Sequence, residues 1–100
     1  MNNNYDYIIV GAGSAGCVVA NRLSENPQHN ALLIEAGSAS HPVTRLPASF
    51  ALLIDNPLAN WRYRSEPEES TGNREIPVPR GKLLGGSSAI NGLVYVRGNK

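Results

Sequence analysis

The sequence predicts an α/β fold that begins with a βαβ unit over residues 5–37. One observation is the continuous apolar run Tyr7–Val10, which stops at a glycine, as a buried parallel strand often does. Apolar residues then recur at helical spacing as far as Leu23, and a second apolar run follows a proline. The regular pattern is lost over residues 38–79 and returns in a second glycine-rich segment over residues 80–98.

The elements of the βαβ unit can be placed in order. The first strand is β-branched in its last three residues, which suits a central strand buried on both faces. The helix follows the glycine-rich turn, and Asn26 with Pro27 places its end near Glu25. The second strand covers residues 31–35 and closes at residues 36–37.

Residues 38–79 form a long irregular segment. Six of the seven prolines lie in it, so no uninterrupted helix longer than about nine residues fits between them. We predict a short helix over residues 48–54, a short strand over residues 61–64 with its aromatic rings on one face, and a solvated turn over residues 66–69. The apolar and aromatic content of the segment favours an ordered excursion that covers another group.

The first glycine motif, G-x-G-x-x-G, stands between the first strand and the helix. Gly11 would form the tight turn, Gly13 would let the backbone approach a pyrophosphate, and Gly16 would let the helix pack on the sheet. The helix N-terminus would offer free N–H groups to the phosphates. Glu35 stands 19 residues after Gly16, where a carboxylate can bind ribose hydroxyls and would repel a 2′-phosphate. The motif predicts a site for the ADP half of a cofactor such as FAD and disfavours NADP.

A second glycine motif follows at residues 85–88, where Gly85 and Gly86 precede two serines. The glycine pair indicates a close approach of the backbone to another group. We expect Ser87 or Ser88 to cap a following helix, whose N–H groups would face an anionic or electron-rich part of a ligand.

Five segments of the chain together resemble the glucose–methanol–choline (GMC) oxidoreductases: residues 5–17, 33–37, 60–63, 80–92 and 94–98. The resemblance is to the choline dehydrogenase and alcohol dehydrogenase branch. It implies a Rossmann-like FAD-binding domain in which the segment of residues 38–79 covers the cofactor. It also implies an enzyme that oxidises a choline-like or other primary alcohol to an aldehyde by hydride transfer to flavin N5.

The same resemblance implies which residues bind FAD. Those around the pyrophosphate and adenosine would be Gly11, Gly13, Ser14, Ala15, Gly16, Glu35 and Ala36. Those at the flavin end would be Trp61, Arg80, Gly81, Gly85, Gly86, Ser87, Asn91, Gly92 and Val94.

Two further expectations come from comparison with the family pattern. Members with covalently attached FAD carry a histidine immediately before the residue that matches Asn91, and this chain has Ile90 there. We therefore expect non-covalent FAD. In that family, the catalytic histidine and its histidine or asparagine partner lie near the C-terminus of a much longer chain. Residues 1–100 are thus expected to be an N-terminal fragment without catalytic residues and without the substrate domain, inactive alone.

Composition argues against several classes of protein. Nine basic residues against eight acidic ones give a net charge of +1, which does not suit a nucleic-acid-binding stripe. No apolar run approaches the roughly 20 residues that span a bilayer, and residues 1–6 lack the features of a secretory signal. We expect a cytoplasmic protein, either free or peripheral to the inner membrane.

The cysteine and histidines argue against a metal site. Cys17 is the only cysteine, and neither His29 nor His41 stands at a recognisable ligand spacing. We expect Cys17 to pack against the sheet rather than to act in redox chemistry. Both histidines are expected in surface loops.

Two alternatives remain open on the sequence. An NAD-dependent dehydrogenase fragment would share the βαβ unit, although residues 80–92 have no obvious role in a nicotinamide site. A truncated, non-catalytic nucleotide-binding remnant would neither turn over alcohol nor fold well alone. The alcohol, the oligomeric state and the electron acceptor, whether oxygen, a quinone or a carrier protein, are also left open.

Overall fold

The computed structural model describes residues 4–99, so residues 1–3 of the polar N-terminal segment lie outside the described part. Strand β1 covers Tyr7–Val10, helix α1 covers Ser14–Leu23, and strand β2 covers Ala31–Ile34. The two strands are parallel, with Tyr7 opposite Ala31 and Val10 opposite Ile34, and α1 packs on both. The predicted α/β class and its βαβ unit are confirmed.

The predicted ends of these elements differ from the observed ends by one or two residues. Helix α1 ends at Leu23 instead of Glu25, because the N–H of Ser24 closes the last turn on the carbonyl of Ala20. Strand β2 ends at Ile34 because the Glu35 side chain turns back to bind backbone N–H groups.

The expectation that β1 is buried on both faces is wrong for the described residues. Ile9 faces α1 and is half-buried, whereas Ile8 is 61% exposed and Val10 is 81% exposed. The physical reason is that helix α1 covers one face of this two-stranded sheet, while no element within residues 4–99 shields Ile8 and Val10 on the other.

The irregular segment contains short elements joined by ordered turns. Two 3₁₀ turns lead into a one-turn helix, and two short strands pair antiparallel: Pro42–Arg45, Pro47–Ser49, α2 (Phe50–Leu53), β3 (Tyr63–Arg64) and β4 (Pro77–Val78). The predicted helix is therefore present but shorter. The predicted strand over residues 61–64 is also shorter, because Arg62 has a φ of +57°. The predicted turn over residues 66–69 is exposed and leads into a 3₁₀ turn at Glu69–Thr71.

The buried core lies outside the sheet. Leu53, Ala59, Leu83 and Ile90 form one apolar cluster and are each at most 3% exposed. The first two belong to the irregular segment and the last two to the second glycine-rich segment. The irregular segment is thus ordered by packing against the segment that carries the second glycine motif.

We predict that Leu53→Ala destabilises the protein by about 3 kcal/mol, because it leaves a cavity in this cluster. Leu53 is 1% exposed, whereas its neighbour Leu52 is 69% exposed and provides the matched control. Leu52→Ala should change stability by less than about 0.5 kcal/mol. Urea unfolding of the full-length protein would measure both variants, and equal effects would contradict the assignment of the core.

Candidate functional site

The first glycine motif forms a tight loop between β1 and α1. Gly11 has a φ of +96°, and its N–H donates to the carbonyl of Ile34 at 2.8 Å. A Cβ on Gly16 would collide with the Gly11 carbonyl oxygen and lie 3.5 Å from the Cγ2 atom of Ile9. The helix therefore packs directly on the loop. Its first turn carries no acidic side chain to offset the partial positive charge of the N-terminus.

Glu35 connects the loops that follow the two strands. Its Oε2 atom accepts the N–H of Ala12 at 2.8 Å, and its Oε1 atom accepts the N–H of Gly37 at 3.0 Å. A carboxylate has about four lone-pair sites, so these two bonds leave acceptor capacity for ligand hydroxyls. The side chain is half-buried, and these two bonds hold it in place.

Cys17 also contacts this loop. Its Sγ atom donates to the carbonyl of Ala12 at 3.2 Å, and the side chain is half-buried. The observed partner is therefore the glycine-rich loop.

The second glycine motif docks on the first. The N–H of Gly85 donates to the carbonyl of Ala12 at 2.7 Å. Gly86 has a φ of +57°, and a Cβ there would lie 2.9 Å from the Cα atom of Gly13. Two motifs about 70 residues apart in the sequence are thus in direct backbone contact. No side chain fits between Gly86 and Gly13.

The expectation that Ser87 or Ser88 caps a helix is wrong. The residues Gly86–Ala89 form a single 3₁₀ turn without a side-chain cap. Instead, the Ser87 hydroxyl accepts the N–H of Gly81 at 3.1 Å, and the Ser88 hydroxyl donates to the carbonyl of Gly85 at 2.7 Å. Both hydroxyls are used to hold the loop, because a turn this short has no regular helix to cap.

An aromatic pair stands beside the two loops. The rings of Trp61 and Tyr63 are stacked with centroids 6.0 Å apart and planes 4° apart. The Nζ atom of Lys82 lies 4.7 Å from the Trp61 ring centroid, within the range of a cation–π contact. The backbone N–H of Trp61 donates to the carbonyl of Arg80 at 2.8 Å. The prediction that the two rings share one face is confirmed.

These parts line an open cavity of about 590 Å³. Nine predicted site residues line it: Gly11, Gly13, Glu35, Ala36, Trp61, Arg80, Gly81, Gly86 and Ser87. Sequence reasoning missed three lining residues: Val10, Ile34 and Tyr63. Val10 and Ile34 could have been predicted, because they are the last residues of the two paired strands.

Seven predicted site residues lie outside this lining: Ser14, Ala15, Gly16, Gly85, Asn91, Gly92 and Val94. Asn91 lines a separate cavity of about 80 Å³ that also includes Phe50. Gly92 lies near the same ring, since a Cβ there would be 3.9 Å from the Cε2 atom of Phe50. Val94 is 82% exposed.

Both histidines lie in loops and are half-buried, and each makes a side-chain contact. His29 packs edge-on against the Tyr7 ring with centroids 5.4 Å apart. The His41 Nε2 atom lies 3.2 Å from the Asn56 Nδ2 atom, and its Nδ1 atom is buried. Residues 4–99 contain no cluster of three metal-ligating side chains. None of the helices within this range has the length and apolar character needed to cross a bilayer.

A parallel βαβ unit with a glycine-rich turn and an acid after its second strand defines the class of dinucleotide-binding proteins. The second glycine loop, docked on this unit, defines a narrower group within the dinucleotide-binding proteins. The model of the GMC oxidoreductase family matches residues 5–100, and the chain belongs to this family. The resemblance inferred from the separate motifs is confirmed.

Relatives with established names share about half of the residues. The oxygen-dependent choline dehydrogenase of Photobacterium profundum is 47% identical over 99% of this chain and 18% of its own length. The alcohol dehydrogenase [acceptor] of Pseudomonas putida is 50% identical over 96% of this chain and 18% of its own length. The crystal structure of pyridoxine 4-oxidase from Mesorbium loti superposes with a TM-score of 0.85 at 43% identity, over 95% of this chain and 19% of that one. The chain therefore spans about one fifth of the length of these proteins.

Proposed function

We propose that these residues form the FAD-binding N-terminal portion of an oxidoreductase that converts a choline-like or other primary alcohol to an aldehyde. The observation that carries the proposal is the docking of Gly85 and Gly86 on the first glycine loop. That contact supports a single site formed by both loops. Family membership and the names of the relatives support the same reaction class.

The residues present fit an extended dinucleotide. The cavity volume lies in the usual range for small-molecule sites, about 300–1,000 Å³. The Glu35 carboxylate lines this cavity and has spare acceptor capacity for ribose hydroxyls. Gly11, Gly13 and the first turn of α1 suit the pyrophosphate, because no side chain blocks the backbone and the helix dipole attracts anions. Trp61 and Arg80 line the same cavity.

The chemistry of the reaction belongs to the flavin, which accepts a hydride when it is bound. The described residues bind and orient the cofactor. We assign to residues 38–79 the role of covering it, supported by Trp61 and Tyr63 of this segment in the cavity lining. Ser14, Ala15, Gly16 and Gly85 would act through the backbone of the two loops.

The test is an absorption spectrum of the purified full-length protein, followed by anaerobic addition of alcohols. We expect a yellow protein whose flavin bleaches with choline or another primary alcohol. A colourless protein that binds NAD would favour the dehydrogenase alternative. A yellow protein that no alcohol bleaches would contradict the substrate class. If an alcohol does bleach the flavin, comparing its re-oxidation by oxygen and by quinones would identify the electron acceptor.

We predict that the flavin is released when the full-length protein is denatured in acid. Ile90 stands where covalent family members have histidine, and it is 3% exposed within the apolar cluster of Leu53 and Leu83. Its hydrocarbon side chain offers no nucleophile. Flavin absorbance should therefore remain in the supernatant after precipitation, with a covalent flavoprotein treated in parallel as the control. Yellow colour in the washed pellet would refute the prediction.

A further inference from the structure

One buried amide connects three segments around the cofactor cavity. Asn60 is 3% exposed, and all the polar atoms of its side chain are engaged. Its Oδ1 atom accepts the N–H of Arg62 at 2.8 Å and the N–H of Arg80 at 2.9 Å. Its Nδ2 atom donates to the carbonyl of Ile54. The end of α2, the chain entering β3 and the chain entering the second glycine loop therefore meet on one side chain.

These bonds fix the backbone of the two chain segments that carry the lining residues Trp61 and Arg80. Arg62 has a φ of +57°, which is uncommon for a residue other than glycine, and the bond to Asn60 Oδ1 fixes this turn. The bond to the Arg80 N–H fixes the opposite chain, where Asn60 and Gly81 form an antiparallel bridge. Trp61 lies between these anchors, and its N–H binds the Arg80 carbonyl at 2.8 Å.

Asn60 itself stands outside the lining of the cofactor cavity. It lines a different cavity of about 540 Å³ on the side of Ile54 and Arg62. It therefore influences a ligand only through the residues it holds.

We propose that Asn60 is the positioning residue of the cofactor site, which sets the separation of Trp61 from Arg80 and Gly81. The inference rests on the proposed FAD-binding function. An amide suits the role because it supplies an acceptor for two N–H groups and a donor for one carbonyl on the same planar group. An apolar residue of similar size would leave all three backbone groups without this partner.

The test compares Asn60→Ala and Asn60→Asp with Leu53→Ala in the full-length protein. Leu53 belongs to the adjacent core, does not line the cofactor cavity and makes no side-chain hydrogen bond to its chains, so it controls for loss of stability. The readouts are the Kd of the apoprotein for FAD and hydrogen exchange at the amides of Arg62 and Arg80. All measurements are made at a temperature at which each variant is folded.

We expect Asn60→Ala to weaken FAD binding by about tenfold or more and to speed exchange at both amides by a similar factor. Leu53→Ala should leave the FAD affinity within about threefold of wild type. Asn60→Asp keeps an acceptor oxygen for both N–H groups and should recover much of the protection and much of the affinity together.

The two readouts must change together if Asn60 acts by positioning. An unchanged FAD affinity with unprotected amides would overturn the proposal, as would lost affinity with protected amides or an equal loss in Leu53→Ala. If Asn60→Ala fails to fold, the same criterion applies to Asn60→Asp alone. A wild-type protein that does not bind FAD would refute the proposed function, while exchange at the two amides would still report whether Asn60 holds them.

Discussion

Replacing Gly81 with alanine should nearly abolish FAD binding, with a loss of affinity of about 100-fold or more. A Cβ at this position would collide with the carbonyl oxygen of Gly86 and lie 2.7 Å from the backbone N of Ser87. These are backbone atoms, so no side-chain rotation relieves the overlap. Overpacking of this kind costs about 3 kcal/mol, which corresponds to roughly 100-fold in affinity.

The collision should have a specific structural effect. It would push Gly86 away from Gly13 and break the bond from the Gly81 N–H to the Ser87 hydroxyl. The measurement is titration of the full-length apoprotein with FAD, followed by flavin fluorescence. Gly98→Ala is the matched control, because a Cβ there meets no atom of residues 4–99 within 4 Å. A Gly81→Ala protein that keeps wild-type FAD content would contradict the docking of the two loops.

Glu35→Ala should weaken FAD binding by about 100-fold, because two effects combine. The N–H groups of Ala12 and Gly37 lose their acceptor, so the loops after β1 and β2 are no longer tied together. The proposed acceptor for the ribose hydroxyls is removed as well. Hydrogen bonds to charged groups contribute about 1.5–3 kcal/mol each, and half-burial places these toward the lower value.

Conservative and control variants separate these effects. Glu35→Gln retains one side-chain oxygen and should lose only about tenfold. Glu25→Ala removes an exposed carboxylate paired with Arg22 on the helix surface and should change the affinity by less than about threefold. Titration with ADP as well as FAD tests whether Glu35 binds the ADP half of the cofactor, because a residue at the adenosine end affects the affinity for both ligands. Unchanged ADP binding by Glu35→Ala would place the ribose elsewhere.

The parts of the fold and site that sequence reasoning predicted are those encoded by local pattern. The apolar run at Tyr7–Val10, the glycine spacing and the acid at Glu35 lie within one βαβ unit, in which each element contacts its neighbours along the chain. Predicted ends were therefore within two residues of those observed for α1 and within one for β2. The cavity lining also includes nine of the residues expected from family resemblance.

The parts that sequence reasoning could not predict depend on contacts between distant segments. Neither glycine motif by itself indicates that Gly86 rests on Gly13, since that contact requires the path of the roughly 70 residues between them. The role of Ser87 was mistaken for the same reason, because its hydroxyl is used by Gly81 rather than by a local helix. The bridging role of Asn60 between three segments was invisible in a local pattern.

The sequence by itself thus determined a dinucleotide-binding βαβ unit, because periodicity and glycine spacing act over short distances. Its separate motifs also resemble those of the family to which the chain belongs. The tertiary structure alone decided how the irregular segment packs. Leu53 joins Leu83 and Ile90 in a core beside the sheet. Trp61 of the same segment lines the cofactor cavity. Burial and hydrogen bonding across long sequence separations depend on the whole backbone path, and no short run of residues specifies that path.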